Sequence, residues 1–281
     1  MRRPTPRSLA LDLLSSLRGG SMPVAALVDA AVLFGIEPNA QRVAVARLLA
    51  ARQIERDQPG RYRIGAAAAP VDRRVLGWRR AEEATARWQG GFWLVHAGAL
   101  PPARDGRRRR REQALRLLGF AALAPRLAAR PDNLRADLPW LRSELDLLGL
   151  ERDALLVRAS ELDPEAAARA GRMWSRDELA QGYRRSLVAL AASEARLPRL
   201  PEAKAMVESF LLGGRVIRQL VLDPLLPEPL APEALRRELA QAMRRYDRLG
   251  RRAWAGLLER HGVPHVSAPA DGERTLSVPV A

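Results

Sequence analysis

The chain has 281 residues, of which 47 are lysine or arginine and 32 are acidic, giving a net charge of +15. With 47% apolar and 28% charged residues it is not a disordered polymer, and it is long enough for two or three compact units. The absence of cysteine excludes disulfides, thiolate zinc sites and cysteine nucleophiles, while the positive field attracts polyanions: nucleic acid, anionic membrane or acidic proteins. Lys204 is the lone lysine. Arginine forks onto phosphates and base edges, although the codon bias of a GC-rich genome produces the same excess. No apolar run approaches the ~20 residues of a membrane span, and the N-terminus lacks the apolar core of a signal peptide, so a cytoplasmic protein without membrane contact is expected.

In chain order, Ser8 is placed to cap a first helix that carries Leu9, Leu13 and Leu17 at helical spacing, with Gly19 and Gly20 ending it. Ser21-Met22-Pro23 reads as a cap and an early-helix proline opening a second helix, which runs to about Phe34 before Gly35-Ile36-Glu37 breaks it. A third helix is expected from Pro38 to about Arg52. At about 100° per residue it sets Gln41, Ala44, Val45, Leu48 and Leu49 on one side and Asn39, Arg42, Val43, Ala46 and Arg47 on the other. Two short alternating strands then flank Gln58-Pro59-Gly60. Three helices and a hairpin within about 65 residues make a winged helix-turn-helix, expected over 1-68.

Residues 69-90 read as a helical linker. A new pattern follows: a buried strand at 91–97, a helix at 107–118, strands at 120–123 and 127–129, a helix at 133–148 and a strand at 154–159. This β-α-β-β-α-β order predicts a ferredoxin-like central domain over 91-162, with antiparallel strands covered on one face by two helices. A helical C-terminal domain for effector binding and dimerisation is expected over 163-262. In it Ser175 caps a helix to about Arg196, further helices cover 202–212 and 232–260, residues 215–222 are open between helix and strand, and 223–229 form a rigid connector. Residues 263-281 read as a flexible tail. The predicted class is α+β and helix-rich.

On the third helix, Arg42 and Arg47 flank a face whose middle is small, with Asn39 near its start, so that in a major groove they can reach base edges. A solvated helix face has the same pattern. Arg56, Arg61 and Arg63 of the hairpin are candidates for phosphate contacts or plain surface charge. The run Arg107 to Arg111 opens a helix where positive charge opposes the dipole, which fits either a solvated surface or an anionic partner. His96, His261 and His265 are scattered, and glycine and proline interrupt the last two as a helical metal pair. Gly213-Gly214 lacks the pattern of a phosphate loop. The central unit looks like that of small CRISPR-associated nucleases, which place a metal-binding aspartate at the end of the first strand. Here Val95-His96-Ala97-Gly98 brings no carboxylate before Asp105. No enzyme, catalytic residue, metal or cofactor is expected.

Four segments resemble the PaaX-like family of bacterial transcriptional repressors, regulators of phenylacetate degradation. They are Phe34-Gly-Ile-Glu37 with the 41–48 helix and its two arginines, Trp88-Gln-Gly-Gly-Phe-Trp-Leu-Val95, Leu118-Gly-Phe-Ala-Ala-Leu-Ala-Pro125 with Arg130-Pro131, and Asp223-Pro-Leu-Leu-Pro227. The chain departs from the family at a shorter wing, 58–62, and before Asp223, where a histidine and arginine pattern is lacking. The resemblance implies a homodimer that binds double-stranded operator DNA and is released by an acyl-CoA thioester such as phenylacetyl-CoA. Trp174, Arg176, Tyr183, Arg184 and Arg218 offer aromatic surface near guanidinium groups for such an effector, and helix packing accounts for the same residues. The expected function is therefore a repressor of a catabolic operon. The alternative is a non-sequence-specific nucleic-acid binder, for RNA among other targets.

Overall fold

The computed structural model describes residues 3–17, 20–98 and 106–264. It is helix-rich, with two small antiparallel sheets, an α+β architecture. Contacts divide the chain into two compact units. The first holds the described residues of Met1–Trp78, Ser186–Arg218 and Ala240–Glu273, and the second those of Arg79–Arg185, Gln219–Leu239 and Arg274–Ala281.

The first unit opens with α1 (Pro6–Ser16). Its cap is Thr5 and not Ser8: Thr5 Oγ1 accepts from Ser8 N at 3.1 Å and Ser8 Oγ accepts from Thr5 N at 3.0 Å. Ser8 is thus the third helical residue of a reciprocal capping box, and Pro6 loses nothing at the first position because its missing N–H would have no partner there. The next expectation also changes. Met22–Pro23 forms a short strand, β1, and Pro23 in extended conformation is the residue from which α2 (Val24–Leu33) starts. Strand formation wins because Met22 is fully buried and the following amide, Val24 N, donates to Gly60 O at 2.9 Å. Gly35, at φ 71°, turns the chain out of α2 in a left-handed conformation that favours glycine. Then come α3 (Pro38–Ala50), β2 (Ile54–Gln58) and β3 (Arg61–Ile64), with sheet order β1-β3-β2.

The three helices close over Leu9, Leu13, Leu14, Leu27, Val45 and Leu48, and the same core takes in Met206, Trp254 and Leu257. Val263 is buried there too, so the expected tail does not begin at 263; residues 265–281 lie outside the described residues. Of the linker expected over 69-90, only the part to Ala84 is helical, α4 (Ala69–Leu76) followed by a 3-10 turn over Gly77–Ala84, and Thr85 then forms an antiparallel bridge with Leu134.

In the second unit the order is β4 (Phe92–His96), α5 (Arg107–Leu117), β5 (Ala121–Ala124), β6 (Leu127–Pro131), α6 (Leu138–Leu148) and β7 (Leu155–Ala159). Every neighbouring pair in the sheet β5-β6-β4-β7 is antiparallel. Alternation along β4 sends Trp93 and Val95 to a core with Leu118, Leu141 and Leu145, and Phe92 and Leu94 to the opposite face. That second face is not open: Ala170 of α7 (Pro164–Gly171) and Met173 pack on it.

Three long helices complete the chain: α8 (Arg176–Arg196), α9 (Glu202–Val221) and α10 (Glu233–Arg260). Ser175 caps α8 as expected, its Oγ accepting from Glu178 N at 3.2 Å. The 215–222 stretch is helix to Val221, continuous with 202–212 through Gly213-Gly214. Gly213 sits against a neighbouring helix, where an added Cβ would stand 3.5 Å from Met243 Cε. The separate C-terminal domain expected over 163-262 does not form one body, because residues of α8, α9 and α10 contribute to both units.

Candidate nucleic-acid interface

The helix α3 carries two unlike faces. Gln41, Val45 and Leu48 are buried, whereas Asn39, Arg42, Val43, Ala46 and Arg47 are all exposed, Val43 to 41%. No acidic residue occurs in α3, and neither the Arg42 nor the Arg47 side chain makes an ion pair or hydrogen bond with another described residue. Both guanidinium groups therefore keep an uncompensated charge beside a shallow apolar strip, Val43 and Ala46. The face offers what a base edge or phosphate needs, a fork of donors with nothing already attached.

The inner face contains a cost. Gln41 is 0% exposed, and neither its Oε1 nor its Nε2 has a hydrogen-bond partner among the described residues. A buried amide left unpaired costs about 1–3 kcal/mol. Gln41→Met, close in shape and without the amide, is expected to raise stability by about 1–2 kcal/mol. Urea denaturation reads this as a higher midpoint at unchanged slope.

Beside α3, a groove of about 630 Å³ runs to the first turn of α1, lined among others by Arg7, Ala40, Val43, Arg47, Ala51 and Gln53. Arg7 donates from Nε and Nη2 to Gln53 Oε1 at 3.3 and 2.9 Å. Neither residue stood out in the sequence, since the 46-residue separation hides the pair.

The hairpin arginines divide. Arg56 is exposed and makes no ion pair with a described residue. Arg61 is turned inward, donating to Ser21 Oγ at 3.2 Å and Ser21 O at 3.0 Å. Arg63 lies opposite Glu55 in the ladder, bonds it at 2.7 Å and stands 3.5 Å from Asp57. As an exposed pair this adds little stability, but the two carboxylates offset the charge that Arg63 could give a phosphate. Of the three, Arg56 alone keeps its full expected character.

Within Arg107–Arg111, Arg108 pairs with Glu112 at 2.8 Å, and Arg111 is buried on Glu151, with two bonds at 2.7 and 2.8 Å. Burial opposes the Glu151 charge, but the Arg111 bonds and charge outweigh it and hold the carboxyl below its ordinary range. Arg111 is thus internal glue, and the exposed charge of the run is carried by Arg107 to Arg110.

The five residues proposed for an effector differ in burial and in the partners they already hold. Tyr183 is buried with its hydroxyl donating to Asp223, and its phenol is pushed up by burial and by that carboxylate; it is an interior residue and presents no ligand surface. Arg176 is held by Glu228 and donates to Pro229 O at 3.0 Å. Trp174 is half-buried, and Arg184 and Arg218 are exposed, Arg218 belonging to the first unit and the other four to the second. His96 is exposed, His261 Nε2 stands 2.8 Å from Asp29 Oδ2, and His265 and Asp105 lie outside the described residues. A carboxylate does approach the end of β4 from another element: Asp153 Oδ2 would be 3.5 Å from a Cβ at Gly98. No group of three or more metal-ligating side chains occurs among the described residues.

Comparison with known proteins gives a fold relative and no more. No family model matches the chain, and no curated protein does. Among solved structures it is similar to "Uncharacterized protein Rv0674 from Mycobacterium tuberculosis", at 24% identity and a TM-score of 0.51, over 86% of this chain and 97% of that one. At that identity the likeness concerns the fold alone. No described helix is long and apolar enough to cross a membrane.

Proposed function

We propose that this chain is a DNA-binding transcriptional regulator, a homodimeric repressor of a catabolic operon. In this reading α1 to α3 with the β2-β3 hairpin form a winged helix-turn-helix, and the second unit's βαββαβ segment is a ferredoxin-like domain. The sheet order β5-β6-β4-β7, with all neighbours antiparallel, supports the latter. The observation that carries the function is the exposed, acid-free face of α3, with two unpaired arginines astride Val43 and Ala46. Small side chains let the helix backbone approach base edges, and the arginines reach guanine or phosphate on either side. Arg56 adds a phosphate contact from the wing.

The PaaX-like resemblance adds an acyl-CoA thioester as the releasing effector, with Trp174 and Arg184 the residues of the second unit still accessible to it. Such a ligand acts only by binding the released state more tightly than the DNA-bound one.

Selection from a randomised duplex library tests the reading. Enrichment is expected of a two-fold related site with half-sites a helical turn or a multiple apart, bound at least about 1,000-fold more tightly than random duplex. The exposed arginines of 107–110 favour one rival, a binder without sequence preference, and a specificity ratio near one would establish it instead.

A further inference from the structure

We propose that the groove between α1 and α3 seats one sugar-phosphate strand of the duplex, with Arg7 as a phosphate contact and Gln53 as the residue that positions it. The inference rests on the reading of α3 above and extends it to residues outside the helix and the wing. Charge and shape select the occupant. Guanidinium groups stand on both walls, Arg7 from α1 and Arg47 from α3, and no carboxylate lines the groove. Between them the floor is Ala40, Val43, Ala44 and Ala51, small and apolar, suited to the faces of deoxyribose rings. A nucleic-acid strand alternates anionic phosphate and apolar sugar in the same way.

The pairing of Arg7 is the unusual feature. Two of its N–H groups are spent on Gln53 Oε1, a neutral acceptor. The guanidinium is therefore oriented without being neutralised, unlike Arg63, whose partners are carboxylates. Its remaining donors are available to an anion, as is the Gln53 amide N–H₂, which makes no bond with a described residue. The groove also continues onto the reading face, because Val43 and Arg47 belong to both. A strand lying in it would border the major groove that α3 enters.

The full-length chain, Arg7→Ala, Arg7→Lys and Gln53→Glu would be titrated with the selected site and with random duplex at several salt concentrations. Arg7→Ala is expected to weaken both DNAs equally, by about tenfold, and to lower the slope of log affinity against log salt by about 1. The specificity ratio should stay constant. Arg7→Lys keeps the charge and should retain the slope, while Gln53→Glu, which neutralises Arg7 and repels phosphate, should lose more than Arg7→Ala. Thermal melts identify any variant whose fold is altered, and the remaining variants then decide. An unchanged slope in Arg7→Ala, or a loss confined to the selected site, overturns the proposal. If the wild-type chain binds duplex without preference, the regulator reading fails while a reduced slope in Arg7→Ala still supports the groove; no duplex affinity at all overturns both.

Discussion

Arg236→Ala is expected to lower the stability of the second unit by about 3–5 kcal/mol, a large share of the 5–15 kcal/mol typical of a folded domain. Arg236 is 1% exposed. Its Nε bonds Glu82 Oε1 at 2.7 Å, its Nη1 bonds Leu226 O at 2.8 Å, and Asp223 Oδ1 stands 3.8 Å away. Asp223 in turn accepts from Tyr183 and from Leu225 N at 2.9 Å. One buried cation thus serves a buried carboxylate, Asp223, and a partly exposed one, Glu82, and truncating it strands the first. Burial already pushes the Asp223 carboxyl up against the lowering effect of Arg236. A raised carboxyl contributes stability at low pH that is lost as pH rises through its folded value. The deficit of Arg236→Ala should accordingly be largest at neutral pH and narrow toward acid, as read by urea denaturation across pH. Asp223→Asn removes the excess negative charge but turns one accepting oxygen into a donor, which the Tyr183 hydroxyl can meet by accepting, and should cost less than Arg236→Ala. Equal losses in the two variants would show that packing and not charge governs the site.

The same cluster marks where sequence reasoning stops. Periodicity sorted the faces of α3 correctly because helix geometry is local, and Ser175 was recognisable as a cap for the same reason. The choice between Thr5 and Ser8 turned on one proline and a reciprocal bond within four residues, which the pattern of leucines does not encode. Met22–Pro23 became a strand because of Tyr62 and Arg61, forty residues on, and α9 passed through Gly213-Gly214 because another helix needed the close approach. The larger blind spot concerns charge. In a chain of net charge +15, arginine reads as surface, yet Arg111, Arg130 and Arg236 are buried. Arg130 donates to the carbonyls of Leu118 and Pro131 and to Asn133 Oδ1, and Asn133 passes the network to Leu225 O at 2.7 Å. Residue type says nothing about which guanidinium meets a carbonyl inside and which is left for a partner. Tyr183, an aromatic near arginines, carries the same ambiguity between ligand contact and helix packing, and its burial decides for packing.

The exposed arginines of α3 give the sharper functional test, because truncating them leaves the interior intact. Arg42→Ala and Arg47→Ala should each weaken the selected site by about 1–3 kcal/mol, or roughly 5- to 150-fold, if the lost contact is a bidentate one to a base. Random duplex should be affected less, so the specificity ratio falls, the opposite of what Arg7→Ala does in the groove. A charge reversal at the centre of the face separates contact from long-range attraction. Ala46 is exposed and touches no polar partner, so Ala46→Glu should melt like wild type, yet it would press a carboxylate against base edges and phosphates. Site affinity should then drop to the level of random duplex or below in an electrophoretic or anisotropy titration. Wild-type affinity in Ala46→Glu would mean that α3 never enters a groove, and the charge of the chain would have to act through another surface.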